Sequence, residues 1–230
     1  MQQNCFDFLR FLFAFIVVIG HTIVLTQQPA YQPLKPFADT MLSVTGFFVI
    51  SGFLISRSYK HSPTATAYFA KRAKRLLPAY ATVILCCAFA FCAISSLPLK
   101  DYFSSHLFIK YLAANLSFLN FIQPCLPGVF DENYMCAVNG ALWTLKIEIG
   151  FYLIVPLLIY GMRKCRKYDW LFLTTIYVMA VAYRHILTVL SDDNDIYGLL
   201  NHQLPAFMSY FAVGIFAETY FDLIIKHKNK

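Results

Sequence analysis

Residues 6–22 read FDFLRFLFAFIVVIGHT, an apolar and aromatic run broken by ionisable groups only at Asp7, Arg10 and His21. Continued to about residue 25, the run has the length of a helix that crosses a bilayer. At 100° per residue, the three positions from 7 to 10 and the eleven from 10 to 21 return all three groups to one stripe. His21 then stands roughly 16 Å above Arg10 along the axis. Ionisable groups inside hydrocarbon are costly, which makes each a functional candidate. For Asp7 and Arg10 the bland alternative is an interfacial ion pair at the helix start. His21 is harder to explain that way, because imidazole titrates near neutrality and the alternative to a partner is lipid. A cleavable signal peptide is disfavoured by Asp7 in the leading region, the His in the apolar core and the lack of a small-x-small site.

The rest of the chain repeats this pattern. Of 230 residues, 59% are hydrophobic, 17% aromatic and 13% charged, with a mean hydropathy of +0.57. A water-soluble domain, in which about a quarter of residues are charged, is excluded. Apolar runs predict spanning helices at about 8–25, 37–56, 76–97, 143–162, 170–190 and 204–225, with a more polar stretch at 107–123. The expected fold class is all-α: a polytopic membrane bundle of six spans and one further segment, forming a single domain over residues 1–230.

A net charge of +7 does not point to nucleic acid, because the basic residues gather in three clusters between apolar runs. These are Arg57, Lys60, Lys71, Arg72, Lys74 and Arg75; then Arg163, Lys164, Arg166 and Lys167; then Lys226, Lys228 and Lys230. The positive-inside rule puts all three, and both termini, in the cytoplasm. An even number of crossings must separate residues 75 and 163, and the two strong runs between them supply it. The stretch 107–123 is therefore expected not to cross but to be re-entrant or interfacial within an outer loop, 98–142. Asp192, Asp193 and Asp195 fall on the outer side as well. Of seven cysteines, Cys86, Cys87 and Cys92 lie in an apolar run, while Cys125 and Cys136 share the outer loop, where an oxidising compartment permits a bridge but spacing does not decide it. No metal is expected, since no Cys-x-x-Cys or His-x-x-x-His spacing occurs.

Glu148 is expected about one and a half turns into the helix that opens at Trp143, at a depth similar to His21. The two would form a base and its orienting carboxylate, or an acid–base pair. Lys146 points elsewhere and is expected to snorkel outward. In YFAKRAKRLLP (68–78), Arg72 and Arg75 share a helical face with Lys71 and Lys74 beside it, ahead of a helix that Pro78 can open. The segment reads as positive-inside anchoring or as a site for a phosphorylated donor, whose oxygens suit arginine forks. Thr45, Gly52 and Ser56 share a face of the second run near Gly46, as close helix packing requires. Arg184, His185 and Glu218 lie near helix ends and are expected to snorkel. Asn115, Asn120 and Asn139 are turn formers or binders of a sugar hydroxyl.

Four segments together resemble the membrane acyltransferase family 3. FDFLRFLFAFIVVIGHT is similar to its opening helix, with an Asp, an Arg three later and a His eleven after that; FFVISGFLIS resembles its second helix. AKRAKRLLPAY is similar to its basic segment, and NGALWTLKIEIGFYLIVPLL to its Trp, Glu, Tyr and Pro helix. PGVF followed by NGALWTL looks most like the branch that O-acetylates surface polysaccharides such as lipopolysaccharide. The resemblance implies transfer of an acyl group, commonly acetyl from cytoplasmic acetyl-CoA, to a hydroxyl of a glycan outside a bacterial inner membrane. On that reading Asp7, Arg10, His21 and Glu148 are catalytic, and Lys71, Arg72, Lys74 and Arg75 hold the donor. Asn139, Trp143 and Tyr152 are then substrate contacts.

The pattern departs in length, since such relatives usually continue for several more spans. A C-terminally truncated chain, or one completed by a second chain, is the corresponding expectation. Two other readings stay open: a glycan exporter with His21 and Glu148 as a proton relay, and an inactive fragment.

Overall fold

The structure is a computed structural model that describes residues 5–191 and 195–223. Lys226, Lys228 and Lys230, and with them the third basic cluster, lie outside the described residues, as do Asp192 and Asp193. The described chain is helical, and no strand occurs among the described residues. The helices are α1 (Cys5–Thr26), α2 (Thr40–Lys60), α3 (Ala65–Ala90), α4 (Leu99–Ser104), α5 (His106–Leu116), α6 (Trp143–Cys165), α7 (Asp169–Leu190), α8 (Asp195–Asn201) and α9 (Leu204–Thr219). α1, α2, α3 and the stretch holding α6 and α7 are long and apolar enough to cross a membrane. The chain is a membrane protein with an all-α bundle.

Two boundaries differ from the sequence reading for identifiable reasons. α3 begins eleven residues before the expected 76 because Thr64 caps it, its hydroxyl accepting from the Ala67 N–H at 3.1 Å. Pro78 sits inside the helix instead of opening it; a proline only forfeits one backbone bond, which spanning helices tolerate. The basic segment is thus the opening turns of α3 and not a loop before it. α2 starts at Thr40, where the Asp39 carboxylate accepts from the Leu42 N–H at 2.9 Å, and the preceding Pro29–Phe37 is a 3-10 helix.

Of the stretch 107–123, only the part up to Leu116 is helical. Its eleven residues span about 16 Å, half the thickness of the hydrocarbon. α5 therefore does not cross; it packs on the far half of α3. There the Tyr80 hydroxyl donates to the Asn115 carbonyl at 2.7 Å, and the Tyr102 hydroxyl to the Ala88 carbonyl at 2.7 Å. Cys125 and Cys136 are joined by a disulfide with Cα atoms 5.3 Å apart. Gly128, at φ +68°, makes the turn that brings its carbonyl onto the Ser96 N–H at 2.8 Å. Tyr80, Ile84, Tyr102, Phe108, Tyr111 and Leu126 form the core of this loop unit.

The main core joins α2, α6, α7 and α9 around Phe48, Phe151 and Phe211. The Phe151 and Phe211 rings stack at 3.8 Å, and Phe48 meets Phe151 edge-on at 5.3 Å. α2 and α9 pack most closely, because Gly52 and Gly214 face each other. A methyl on Gly214 would lie 2.1 Å from the Val49 carbonyl oxygen, and one on Gly52 2.3 Å from that of Phe211. This is the close approach that small residues permit between membrane helices. Gly46 makes room instead for the Phe13 ring of α1.

Three residues expected to snorkel are tied down. Glu218 forms an ion pair with Lys60 at 2.5 Å, joining the ends of α2 and α9. The Arg184 guanidinium donates to the Tyr210 hydroxyl at 2.6 Å and lies over that ring. Lys146 donates to Gln203 Oε1 at 2.7 Å, in front of α9. His185 is exposed as expected.

Candidate active site

Arg10, Ala14, Val17, Val18 and His21 all line one cavity of about 500 Å³, so the stripe read from 100° geometry is the face that α1 presents inward. α2 adds Phe47, Phe48 and Ser51; α3 adds Arg75 and Leu76; α6 adds Trp143, Glu148 and Tyr152. Residues 127 positions apart in the chain, His21 and Glu148, thus line one cavity. They are not bonded to each other. Glu148 accepts instead from the Tyr152 hydroxyl, one turn further along α6, and the His21 ring has no hydrogen-bond partner among the described residues. A carboxyl group bonded to a phenol and an imidazole with no hydrogen-bond partner among the described residues line the same cavity.

A second cavity of about 440 Å³ adjoins the basic end. It is lined by Asp7, Arg10, Arg57, His61, Lys71, Arg72 and Arg75, with Leu54 and Ser58. Arg10 and Arg75 belong to both cavities. Arg10 lies within electrostatic range of Arg75, Glu148 and Asp7, so a cation is held between a like charge and two carboxylates. Arg72 is only 6% exposed. Its guanidinium lies 5.9 Å from the Tyr68 ring centre and 5.7 Å from that of Tyr152, and its Nε has no partner among the described residues. The basin is therefore rich in unspent donors, the chemistry that suits phosphate oxygens.

Two expected site residues lie elsewhere. Lys74 lines neither cavity; at 100° per residue it falls on the outer side of Lys71, away from Arg72 and Arg75. Asn139 does not reach the large cavity but lines a small hollow beside it that shares Trp143. The sequence reading missed Arg57 and His61 as basin residues. Leu54, Arg57, Ser58 and His61 have i, i+3, i+4, i+7 spacing, a stripe legible in the sequence but absorbed there into topology. No cluster of metal-ligating side chains exists among the described residues.

The chain is similar to known proteins over most of its length. An O-acetyl transferase of Shigella phage Sf6 is 31% identical over 153 residues, which cover 66% of this chain and 45% of that protein. Nodulation protein 10 of Rhizobium leguminosarum bv. viciae is 28% identical over 179 residues, 72% of this chain and 47% of that protein. An uncharacterized protein of Haemophilus influenzae is 31% identical over 175 residues, 69% of this chain and 68% of that protein. The chain spans about half the length of the first two relatives. No protein of solved structure matches the chain significantly. The acyltransferase-domain model matches residues 3–230, a span that holds both cavities and every motif that lines them, and the chain belongs to acyltransferase family 3.

Proposed function

We propose that the chain is a membrane O-acyltransferase that takes an acetyl or other acyl group from cytoplasmic acyl-CoA and delivers it to a glycan hydroxyl outside a bacterial inner membrane, with both termini cytoplasmic. The observation that carries this reading is the double membership of Arg10 and Arg75, which wall both the basic basin and the cavity of His21 and Glu148. The phosphates of the donor sit among Lys71, Arg72, Arg75 and Arg57, and the acyl-bearing arm passes Arg10 into the apolar cavity. There His21 accepts the proton of the acceptor hydroxyl as its oxygen attacks the thioester carbon; the C–O bond forms, the C–S bond breaks, and the proton leaves with the thiol. Transient acylation of His21 itself is the variant of this route in which the imidazole, not the hydroxyl, attacks first. Arg10 and Arg75 stabilise negative charge developing at the carbonyl oxygen. A second chain completing the bundle would pack on α1, whose Phe8, Phe11 and Phe15 face outward.

Labelled acetyl-CoA offered to inverted membrane vesicles tests the reading. The expected result is label in envelope glycan, reduced about 10²- to 10⁴-fold by His21→Ala. Transfer that survives this substitution unchanged removes His21 from the chemistry, and glycan that moves without taking up label makes the chain an exporter.

A further inference from the structure

Beside the main cavity the loop unit closes a hollow of about 90 Å³, lined by Asn115, Asn120, Phe121, Pro124, Asn139 and Trp143. Trp143 lines the main cavity too, and it is held edge-on to His202 at 5.0 Å and against Phe207 at 5.5 Å. Asn120 is 6% exposed, yet its Oδ1 has no hydrogen-bond partner among the described residues. The amide nitrogen of Asn115, itself 2% exposed, is committed to the Tyr111 and Gln123 carbonyls at 2.8 and 2.9 Å. That of Asn139 is committed to Cys87 Sγ at 3.2 Å. Both N–H groups of Asn115 and one of Asn139 are thus spent on protein, and Asn120, which lines the hollow, carries a buried amide oxygen that lacks a donor among the described residues. Such an acceptor is costly to leave unpaired.

We propose that this hollow is a subsite for the hydroxyl edge of the acceptor sugar, whose ring stands against Trp143 at the mouth of the main cavity. The assignment rests on the acyltransferase reading above and adds the residues that recognise the acceptor. Size supports it: the hollow holds about three waters' volume, enough for one hydroxyl-bearing edge and too little for a whole pyranose. Chemistry supports it as well, because a sugar hydroxyl supplies the missing donor while the apolar face of the ring suits the indole. A site built to hydrogen-bond a hydroxyl discriminates strongly against partners lacking one. Its position, reached from the same tryptophan that borders the chamber of His21, lets a neighbouring hydroxyl of the same sugar enter that chamber.

The competing occupant is a trapped water, and binding separates the two. In the purified full chain carrying Trp170→Phe, Trp143 is the sole indole, and its fluorescence is titrated with the methyl glycosides of glucose, galactose, mannose and N-acetylglucosamine. A saturable change is expected with at least one of them. Its half-saturating concentration should rise about tenfold or more in Asn120→Leu and return to near the starting value in Asn120→Asp, whose carboxylate oxygen still accepts. Asn120→Ala, held to the same tenfold, replaces the Leu variant if that one does not fold. No saturable response to any of the four sugars, or an unchanged midpoint in the apolar variant, assigns the hollow to water and overturns the proposal. Transfer from labelled acetyl-CoA is read separately. Asn120-dependent sugar binding without transfer upholds the subsite and defeats the acyltransferase reading. Transfer whose dependence on acceptor concentration is the same in Asn120→Leu does the reverse.

Discussion

Glu148 has a single side-chain donor among the described residues, the Tyr152 hydroxyl. The Tyr152 ring is in turn covered by the buried Arg72 guanidinium. Removing that hydroxyl leaves the ring packing intact and takes one hydrogen bond from a carboxylate, a loss of about 1.5–3 kcal/mol. Tyr152→Phe should therefore keep the fold and slow transfer about 10- to 100-fold, with the loss in kcat measured against labelled acetyl-CoA; a rate equal to wild type would mean that Glu148 needs no such support. At this scale much was legible in the sequence. The Arg10 to His21 stripe follows from helical geometry alone, and residues 14, 17 and 18 confirm it by lining the same cavity. The Tyr152 to Glu148 bond is an i, i+4 contact that the same geometry allows. Whether Glu148 spends itself on Tyr152 or His21 depends on rotamers and on the width of the space between helices, and periodicity carries neither. That Asn139 lines the small hollow and not the His21 cavity was not legible, since the path of a 45-residue loop, 98–142, is set by contacts that no period encodes.

Among the elements, the crossing of α2 over α9 is the least tolerant of change. Both glycines meet backbone, which cannot rotate away, so an added Cβ must push the helices apart. Gly214→Ala gains up to about 1 kcal/mol of helix propensity but overpacks against the fixed Val49 carbonyl and Phe53 amide nitrogen of α2, which costs about 1–3 kcal/mol or more. The net expectation is a lower midpoint of thermal unfolding in micelles. Gly198→Ala in α8, where a Cβ meets nothing within 4 Å, should be neutral or slightly stabilising; equal effects of the two would refute the packing argument. The loop unit carries a pH signature. Tyr102 and Tyr111, both 0% exposed, are pushed up to about 12 by burial, against about 10 in an unfolded chain. The folded loop holds their protons longer, so its stability is complete below pH about 10 and is lost as pH rises toward 12. Near-ultraviolet circular dichroism should show the loop loosening in that window, and Tyr102→Phe should weaken the pH dependence. The small-residue face of α2 announced its crossing in the sequence, whereas the start of α3 did not: Pro78 offered a stronger local signal than the Thr64 cap, although the cap is what the backbone uses.

For the whole molecule the deciding quantity is the parity of crossings between the two described basic clusters. The brevity of α5 leaves α3 and α6 as the crossings between residues 75 and 163, which returns both clusters to one side and puts the loop unit on the other. The proposed direction of acyl transfer depends on this parity, because the basin of Arg72 and Arg75 must open where acyl-CoA is and the hollow of Asn120 where the acceptor is. Cysteine accessibility tests it in the intact chain. Cys165 is exposed beside Arg163 and Lys164, and the Cys125–Cys136 pair is bridged and silent. With Cys5, Cys86, Cys87 and Cys92 replaced by serine, an impermeant maleimide should label Cys165 in inverted vesicles and not in right-side-out ones. With Cys165 replaced as well, Lys100→Cys in α4 and Tyr134→Cys, 66% exposed, should label only in right-side-out vesicles, because α5 lies between them without crossing. Labelling of positions 100 and 134 from opposite sides would make α5 a span. One of the two basic clusters would then face outward against the charge bias, and donor and acceptor would lose their separate doors into the His21 cavity.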